Sequence, residues 1–178
     1  MEPITVDFET EAIRGNPLVD PPRPVGVAVW VQGQDPWYAP ISPDIVDALR
    51  GIWQHDMLFH NAPFDLSVAN RWLDLPWPAW DAIHDTQYLV FHYNPYGKLA
   101  LKPAAEEILG LPPEEQDYLR EWILANVPEA KASDWGAYIS QAPIELVRPY
   151  AIGDVVRTYK LFDFLQRQRL YNAEPIRS

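Results

Sequence analysis

The stretch Ile4-Thr5-Val6-Asp7-Phe8-Glu9-Thr10 places two acidic residues two positions apart inside an apolar run that predicts a strand. Side chains two apart on a strand point to the same face, so Asp7 and Glu9 share one face. Two neighbouring carboxylates repel each other when both are ionised, and a divalent cation between them offsets that cost. Taken alone, the pattern also fits a solvated strand end. The metal-site interpretation therefore depends on further acids later in the chain.

Length and composition indicate a single domain spanning residues 1–178. Of the 178 residues 48% are hydrophobic, which is enough for one core and short for two domains. No apolar run is long enough to span a bilayer, and the acidic start Met1-Glu2-Pro3 lacks the pattern of a signal peptide. We therefore expect a cytoplasmic protein, of a cell or of a virus-infected host, that is not secreted and has no membrane partner.

The absence of cysteine excludes disulfides and cysteine-ligated zinc. The four histidines show no HExxH-type spacing, so a bound metal is expected to take carboxylate oxygens, which favours Mg²⁺ or Mn²⁺. The formal net charge of −11 argues against a protein that holds nucleic acid by a broad basic surface. It does not exclude an enzyme that grips a few nucleotides through metal ions.

After the first strand, the chain is predicted to continue as a hairpin and then as a β-α-β unit. Residues 25–31 and 35–39 predict two strands joined by a turn. Ser42 and Pro43 predict the start of a helix, and residues 57–60 predict a short buried strand after it. Three antiparallel strands are thus expected before the crossover.

Polar residues follow the buried strand at the point where a helix is predicted to begin. Asn61 and Asp65 lie at this strand-to-helix junction, where open α/β sheets keep their sites. Asp85 precedes the next predicted helix and is expected to cap it rather than to bind a metal. Two more helices are predicted at residues 99–109 and 114–125.

The last predicted helix carries the fourth acid of interest. It is expected to start at Pro149, a residue suited to a first helical turn, and to end near Leu170. Tyr150 and Asp154 are four residues apart, so on a helix both side chains lie on one face.

Three segments carry these acids in order along the chain: Asp7-Phe8-Glu9-Thr10, His60-Asn61-Ala62-Pro63-Phe64-Asp65, and Tyr150-Ala151-Ile152-Gly153-Asp154. They resemble the three motifs of the DEDD superfamily of 3′→5′ exonucleases, in its Tyr-containing branch. That branch includes the proofreading domains of family A DNA polymerases and the RNase D-like nucleases. The resemblance covers residues 4 to about 170. In the sister branch a His stands five residues before the last Asp, where this chain has Pro149.

The resemblance implies a fold, a cofactor and a set of catalytic residues. The fold is α/β and ribonuclease H-like, with a mixed central sheet flanked by helices. Two Mg²⁺ or Mn²⁺ ions, about 3.5–4 Å apart, are the expected cofactors. Asp7 would bridge the two ions, Glu9 and Asp154 would complete the site of the nucleophilic water, and Asp65 would support the second ion. Tyr150 would orient the attacking water.

The resemblance also implies contacts to the substrate. Thr10 and Ile13 would contact the terminal nucleotide, Ile13 as an apolar wedge, and Asn61 and Phe64 would border the same strand. Asn61 fits the role of a helix cap equally well. Three aromatic residues are candidates for stacking on unpaired bases, with no choice among them: Tyr118, Trp122 and Trp135.

The expected function is a metal-dependent 3′→5′ exonuclease that releases nucleoside 5′-monophosphates from single-stranded DNA 3′ ends. Its preferred role is proofreading in DNA replication, with a separate DNA polymerase subunit as an expected partner. One alternative is an RNase D-like enzyme that trims RNA, because it would share every motif. The other is a non-catalytic, polymerase-associated binding module, which is disfavoured because no carboxylate of the set is lost.

Overall fold

The structure is a computed structural model that describes the backbone of residues 2–173 and the side chains of residues 2–169. Met1 and residues 174–178, at the two ends of the expected domain, lie outside the described residues. Five strands form one sheet: β1 (Ile4–Thr10), β2 (Pro24–Trp30), β3 (Trp37–Pro40), β4 (Met57–Phe59) and β5 (Ile83–Asp85). The α-helices are α1 (Pro43–Ile52), α2 (Ala62–Leu73), α3 (Thr86–Tyr93), α4 (Leu101–Leu109), α5 (Glu114–Asn126) and α6 (Ile144–Ala173). Short 3₁₀ segments span Trp80–Ala82 and Trp135–Gln141.

The sheet has the strand order β3-β2-β1-β4-β5. β1 to β3 pair antiparallel, and β4 and β5 continue the sheet in parallel with β1. This is the predicted arrangement of an antiparallel start followed by parallel strands. β1 is the central strand, and each face of the sheet at β1 is covered by a separate core.

Alternation along β1 divides its side chains between two layers. Val6 and Phe8 are buried in a core that is packed against α1 and α2. Asp7 lies opposite Ala28 of β2, which packs in a second core together with residues of α5 and α6. Side chains directly opposite each other on paired strands share a face, so the acids of β1 face the layer of α5 and α6.

α6 begins earlier than the sequence predicts. The helix starts at Ile144, five residues before Pro149, and Pro149 therefore lies inside it. Proline lacks the N–H that would bond to the carbonyl of Glu145, so the helix runs on with one hydrogen bond fewer. The prediction was wrong because proline is favoured in a first turn but is not confined to it.

The other predicted helix ends agree within a few residues. α4 starts at Leu101 rather than residue 99, and Gly110 ends it in the left-handed region at φ 67°. Such a φ costs glycine little, because glycine has no Cβ. Within residues 2–173, none of the helices combines the length and the apolar character that crossing a membrane requires.

Candidate active site

Three carboxylates meet between β1 and α6. Asp7 and Glu9 come from β1 and Asp154 comes from α6, and one carboxylate oxygen of each lies within 4.8 Å of the others. We call this set the acidic trio. Glu9 and Asp154 are each only 6% exposed, and Glu9 Oε1 is buried without a hydrogen-bond partner in the described part of the chain. A buried, unpartnered oxygen in an all-carboxylate set fits a hard divalent cation, which prefers oxygen ligands.

Asp65 stands beside the trio without joining it. Its side chain is buried in the first turn of α2, and its Oδ1 accepts a hydrogen bond of 2.9 Å from the backbone N–H of Phe8. On β1 only Ile4 and Thr5 pair with β4, so this edge of β1 has no strand partner further along. This hydrogen bond therefore connects α2 to the backbone of β1 at Phe8, between Asp7 and Glu9.

Asp85 holds the junction from which Asp65 projects. Its carboxylate accepts hydrogen bonds of 2.9 Å from the N–H groups of Asn61, Ala62 and Gln87. It therefore caps α3, as predicted, and also satisfies free amides at the start of α2. Asn61 itself adopts φ 71° and makes no side-chain capping bond, so the cap alternative for Asn61 was wrong.

Lys102, from α4, brings a positive charge into the site. Its Nζ lies 2.6 Å from both carboxylate oxygens of Asp154 and 4.2 Å from the ring centroid of Tyr150. The ring of Trp135 packs edge-on against Tyr150, with 5.9 Å between the ring centroids. Tyr150 is therefore held between a cation and an indole, one helical turn before Asp154.

Arg157 is a second cation near Asp154. Its Nη1 pairs with Glu115 of α5 and lies 3.8 Å from Asp154 Oδ1, and its Nη2 donates to the carbonyl of Pro112 at 2.8 Å. A Cβ at position 153 would collide with the Glu115 carboxylate, so Gly153 leaves the space in which this pair forms. Arg157 thus links the start of α5 to the helix that carries Asp154.

Burial and mutual repulsion raise the pKa values of all four acids. Burial first, and then the charge of Asp154, raises the pKa of Asp7 to about 8, while Lys102 acts in the opposite direction. Burial raises the pKa values of Glu9 and Asp65 well above their usual range, and the charge of Asp7 adds to both. Burial also raises the pKa of Asp154 despite the neighbouring Lys102. Full ionisation of the site therefore requires more positive charge than Lys102 and Arg157 supply.

Two tyrosine hydroxyls keep their protons beside these acids. Burial and the charge of Glu9 raise the pKa of Tyr150 well above its ordinary value. The same two causes raise the pKa of Tyr38 to about 12. Tyr38 lies over Gly26, the residue opposite Glu9 on β2, where a Cβ would collide with the tyrosine ring. Both groups therefore remain neutral hydroxyls at neutral pH.

The residues expected to contact substrate lie around the ends of β1 and β4. Thr10 ends β1, and its hydroxyl donates to the carbonyl of Glu11. Ile13 lies in the following connection with 56% of its surface exposed. Asn61 is partly exposed, while Phe64, one turn into α2, packs against the core. Their contacts to a substrate stay predictions.

The three candidates for base stacking differ in how open their rings are. Tyr118 is 67% exposed on α5. Trp122 and Trp135 are partly buried against the core between the sheet and α6, and Trp135 also packs on Tyr150. Tyr118 therefore has the most accessible ring of the three.

Sequence reasoning missed Lys102, Arg157, Glu115 and Tyr38. Arg157 had a local signal, because it follows Asp154 by three residues on one helix and such pairs are neighbours. Lys102 and Asp154 are separated by 52 residues, and Arg157 and Glu115 by 42, so no local spacing relates them.

Two solved structures resemble the chain over nearly its whole length. One, described as the apo form of a nuclease, is 19% identical with a TM-score of 0.56, and the match covers 96% of this chain and 74% of that one. The other, Brucella melitensis NrnC bound to pGG, is 21% identical with a TM-score of 0.56, covering 95% of this chain and 73% of that one. The likeness confirms the predicted ribonuclease H-like α/β fold, with its mixed central sheet flanked by helices. No protein-family model and no curated protein sequence matches the chain.

The raised pKa values predict that the metal-free protein loses stability as pH rises. Between about pH 4 and 8 the folded state binds more protons than the unfolded chain, so the free energy of unfolding falls with increasing pH. A carboxyl pKa that folding raises by one pH unit corresponds to about 1.4 kcal/mol, and each kcal/mol to about 2–4 °C in Tm. In EDTA we expect a lower Tm at about pH 8 than at about pH 5.5. The difference should shrink in Asp7→Asn and persist in Asp47→Asn, an exposed acid on α1. An equal dependence of Tm on pH in both variants would contradict the raised pKa of Asp7 as its cause.

Removing the charge of Lys102 is expected to make the site depend more strongly on an added cation. Lys102→Met should lower stability in EDTA at about pH 8 by about 3 kcal/mol or more, because it leaves a buried carboxylate unpaired. The increase in Tm on adding Mn²⁺ should exceed that of the wild type. Lys102→Arg should keep most of the stability, and Lys160→Met, at an exposed position of α6, should change little. A Mn²⁺ response that does not grow in Lys102→Met would refute the counter-ion role.

Proposed function

We propose that the chain is a divalent-metal-dependent 3′→5′ exonuclease that releases nucleoside 5′-monophosphates from single-stranded 3′ ends. The observation that carries this proposal is the acidic trio with its unpartnered Glu9 oxygen, and with Asp65 bonded beside it. The order and type of these residues match the DEDD pattern. Of the solved structures similar to the chain, one is described as a nuclease and another as NrnC bound to pGG, which supports the same chemistry.

In this reaction water attacks the terminal phosphorus, the bond from phosphorus to the 3′ oxygen breaks, and the leaving oxygen takes up a proton. Two Mg²⁺ or Mn²⁺ ions supply acidified water and offset the charge on the leaving oxygen when they are bound. Asp7, Glu9 and Asp154 would hold these ions. Asp65, which accepts a hydrogen bond from the Phe8 amide with one oxygen, would support them from beside the trio.

Tyr150 is assigned to the attacking water. Its hydroxyl keeps its proton at neutral pH, so it can both donate a hydrogen bond to a phosphate oxygen and accept one from water. Lys102 and Trp135 hold the ring, and this fixes the hydroxyl relative to Asp154. A hydroxyl that is already aligned lowers the entropic cost of orienting the attacking water in the transition state.

Two substrate classes are open to this site. DNA proofreading is the first, as the motifs resemble those of polymerase proofreading domains. Trimming of RNA by an RNase D-like enzyme is the second, and the pGG ligand of the NrnC structure favours short oligonucleotides as substrates. A non-catalytic binding module is the weakest option, because all four carboxylates are present.

The direct test uses 5′-labelled single-stranded DNA and RNA of the same sequence with Mg²⁺ or Mn²⁺. We expect a ladder that shortens from the 3′ end, no cleavage in EDTA, and at least about 100-fold slower cleavage by Asp154→Asn. Asp47→Asn is the matched control and should cleave like the wild type. Faster cleavage of DNA supports proofreading, whereas faster cleavage of RNA supports trimming. Intact oligomers with both metals would refute the catalytic assignment.

The acidic balance adds a proposal about the partner. With a net charge of −11 the chain has few cations to neutralise phosphates, so a polymerase subunit would deliver the 3′ end to the site. Co-migration with the cognate polymerase in gel filtration at micromolar concentration is expected. Separate elution of the two proteins, with and without DNA, would contradict the partnership.

A further inference from the structure

Between Thr86 and Ala105 the chain contains no acidic residue, although the whole chain averages about one acid in seven residues (25 in 178). This segment comprises α3, the turn after it and the start of α4. It also carries four exposed aromatic side chains: Tyr88 (62%), Phe91 (47%), Tyr93 (51%) and Tyr96 (98%). Exposed aromatics grouped on one element are a mark of a binding surface. We call residues 86–105 the aromatic segment.

Both ends of the aromatic segment contact residues at or near the candidate active site. His60 follows β4 and precedes Asn61, and its two ring nitrogens lie 2.8 Å from Thr86 Oγ1 and 2.8 Å from the Leu99 carbonyl. Three residues after Leu99, Lys102 reaches Asp154. The segment is therefore anchored to His60 at two points and, through Lys102, to Asp154 of the acidic trio.

A groove of about 420 Å³ lies between the segment and α6. The residues of α3 that line it include Tyr88, His92 and Tyr93, and those of α6 are Leu165, Gln168 and Arg169. The groove lining includes no carboxylate among the residues that the structure describes. The rings of Tyr88 and His92 pack edge-on with 4.4 Å between centroids, which limits their rotation before anything binds.

We propose that this groove binds the unpaired strand upstream of the 3′ end that enters the site. The proposal rests on the proposed exonuclease function. Nucleobases stack on aromatic side chains, and an arginine such as Arg169 binds phosphate. Across a protein with a net charge of −11, a polyanion is repelled least where acids are absent. The exposed aromatic rings, on which bases can stack, favour nucleic acid over an acidic protein partner.

The position of the groove sets the length of strand that reaches it. Leu165 follows Asp154 by eleven residues on α6, which is about 16 Å along a helix. A stacked strand advances about 3.4 Å per nucleotide, so the groove would hold nucleotides roughly five positions from the 3′ end. A dinucleotide at the acidic trio would be too short to reach it.

The test compares a 12-nucleotide strand with the dinucleotide pGG as substrates. The double variant Tyr88→Ala/His92→Ala should raise KM for the 12-mer by about 10-fold or more, because it removes the rings on which the bases would stack. The KM for pGG should not change, and kcat should hold for both substrates. Trp80→Ala is the matched control, since Trp80 is 82% exposed and precedes β5 at the strand end away from the site. Equal effects on both substrates, or none, would overturn the proposal.

A second measurement separates failure of this proposal from failure of the proposed function. Fluorescence anisotropy of a labelled 12-mer in EDTA reports strand binding without cleavage. Weaker binding by Tyr88→Ala/His92→Ala than by Trp80→Ala supports the groove even if no substrate is cleaved. Equal binding by both variants overturns it. A change in the oligomeric state of the double variant, measured by light scattering, would also overturn it, by assigning the groove to a second copy of the chain.

Discussion

Repulsion among buried carboxylates is the constraint on which the arrangement of the helices depends. Asp7, Glu9 and Asp154 share one small volume between β1 and α6, and each is harder to ionise there than in water. Two side chains from outside the trio reduce this cost. Lys102 brings α4 to α6, and Arg157 of α6 reaches Glu115 at the start of α5. The acids therefore organise the packing of the neighbouring helices as well as any chemistry they perform.

The parts of the site that local periodicity encodes could be predicted from the sequence, and the parts that depend on distant contacts could not. The shared face of Asp7 and Glu9 follows from the period of two in a strand. No spacing rule connects Lys102 with Asp154, because their meeting depends on how α4 packs against α6. The early start of α6 was not predicted for a different reason. The hydrophobic contacts of Val147 and Ala151 outweigh the one backbone hydrogen bond that Pro149 cannot donate. The antiparallel pair β2–β3 and the parallel strand β4 after a helix, in contrast, followed from the short turn and the helical crossover that the sequence predicts.

If the chain acts on nucleic acid as proposed, its net charge of −11 confines electrostatic attraction for the strand to a few places. In this chain the positive charges nearest the trio are largely buried and already paired, so they serve the folded state before any ligand arrives. If the acid-free aromatic segment binds a strand as proposed, it adds attraction of another kind, since stacking depends little on charge. The proposed chemistry and the proposed strand affinity would then lie on different surfaces of the chain.

The hydrogen bond from the Phe8 amide to Asp65 has a mechanical consequence. The amide lies between Asp7 and Glu9, so the carboxylate of α2 is fastened to the same few backbone atoms that carry the two acids of β1. A displacement of this part of β1 therefore carries the Asp65 carboxylate with it, so the positions of the three acids are coupled through the strand backbone.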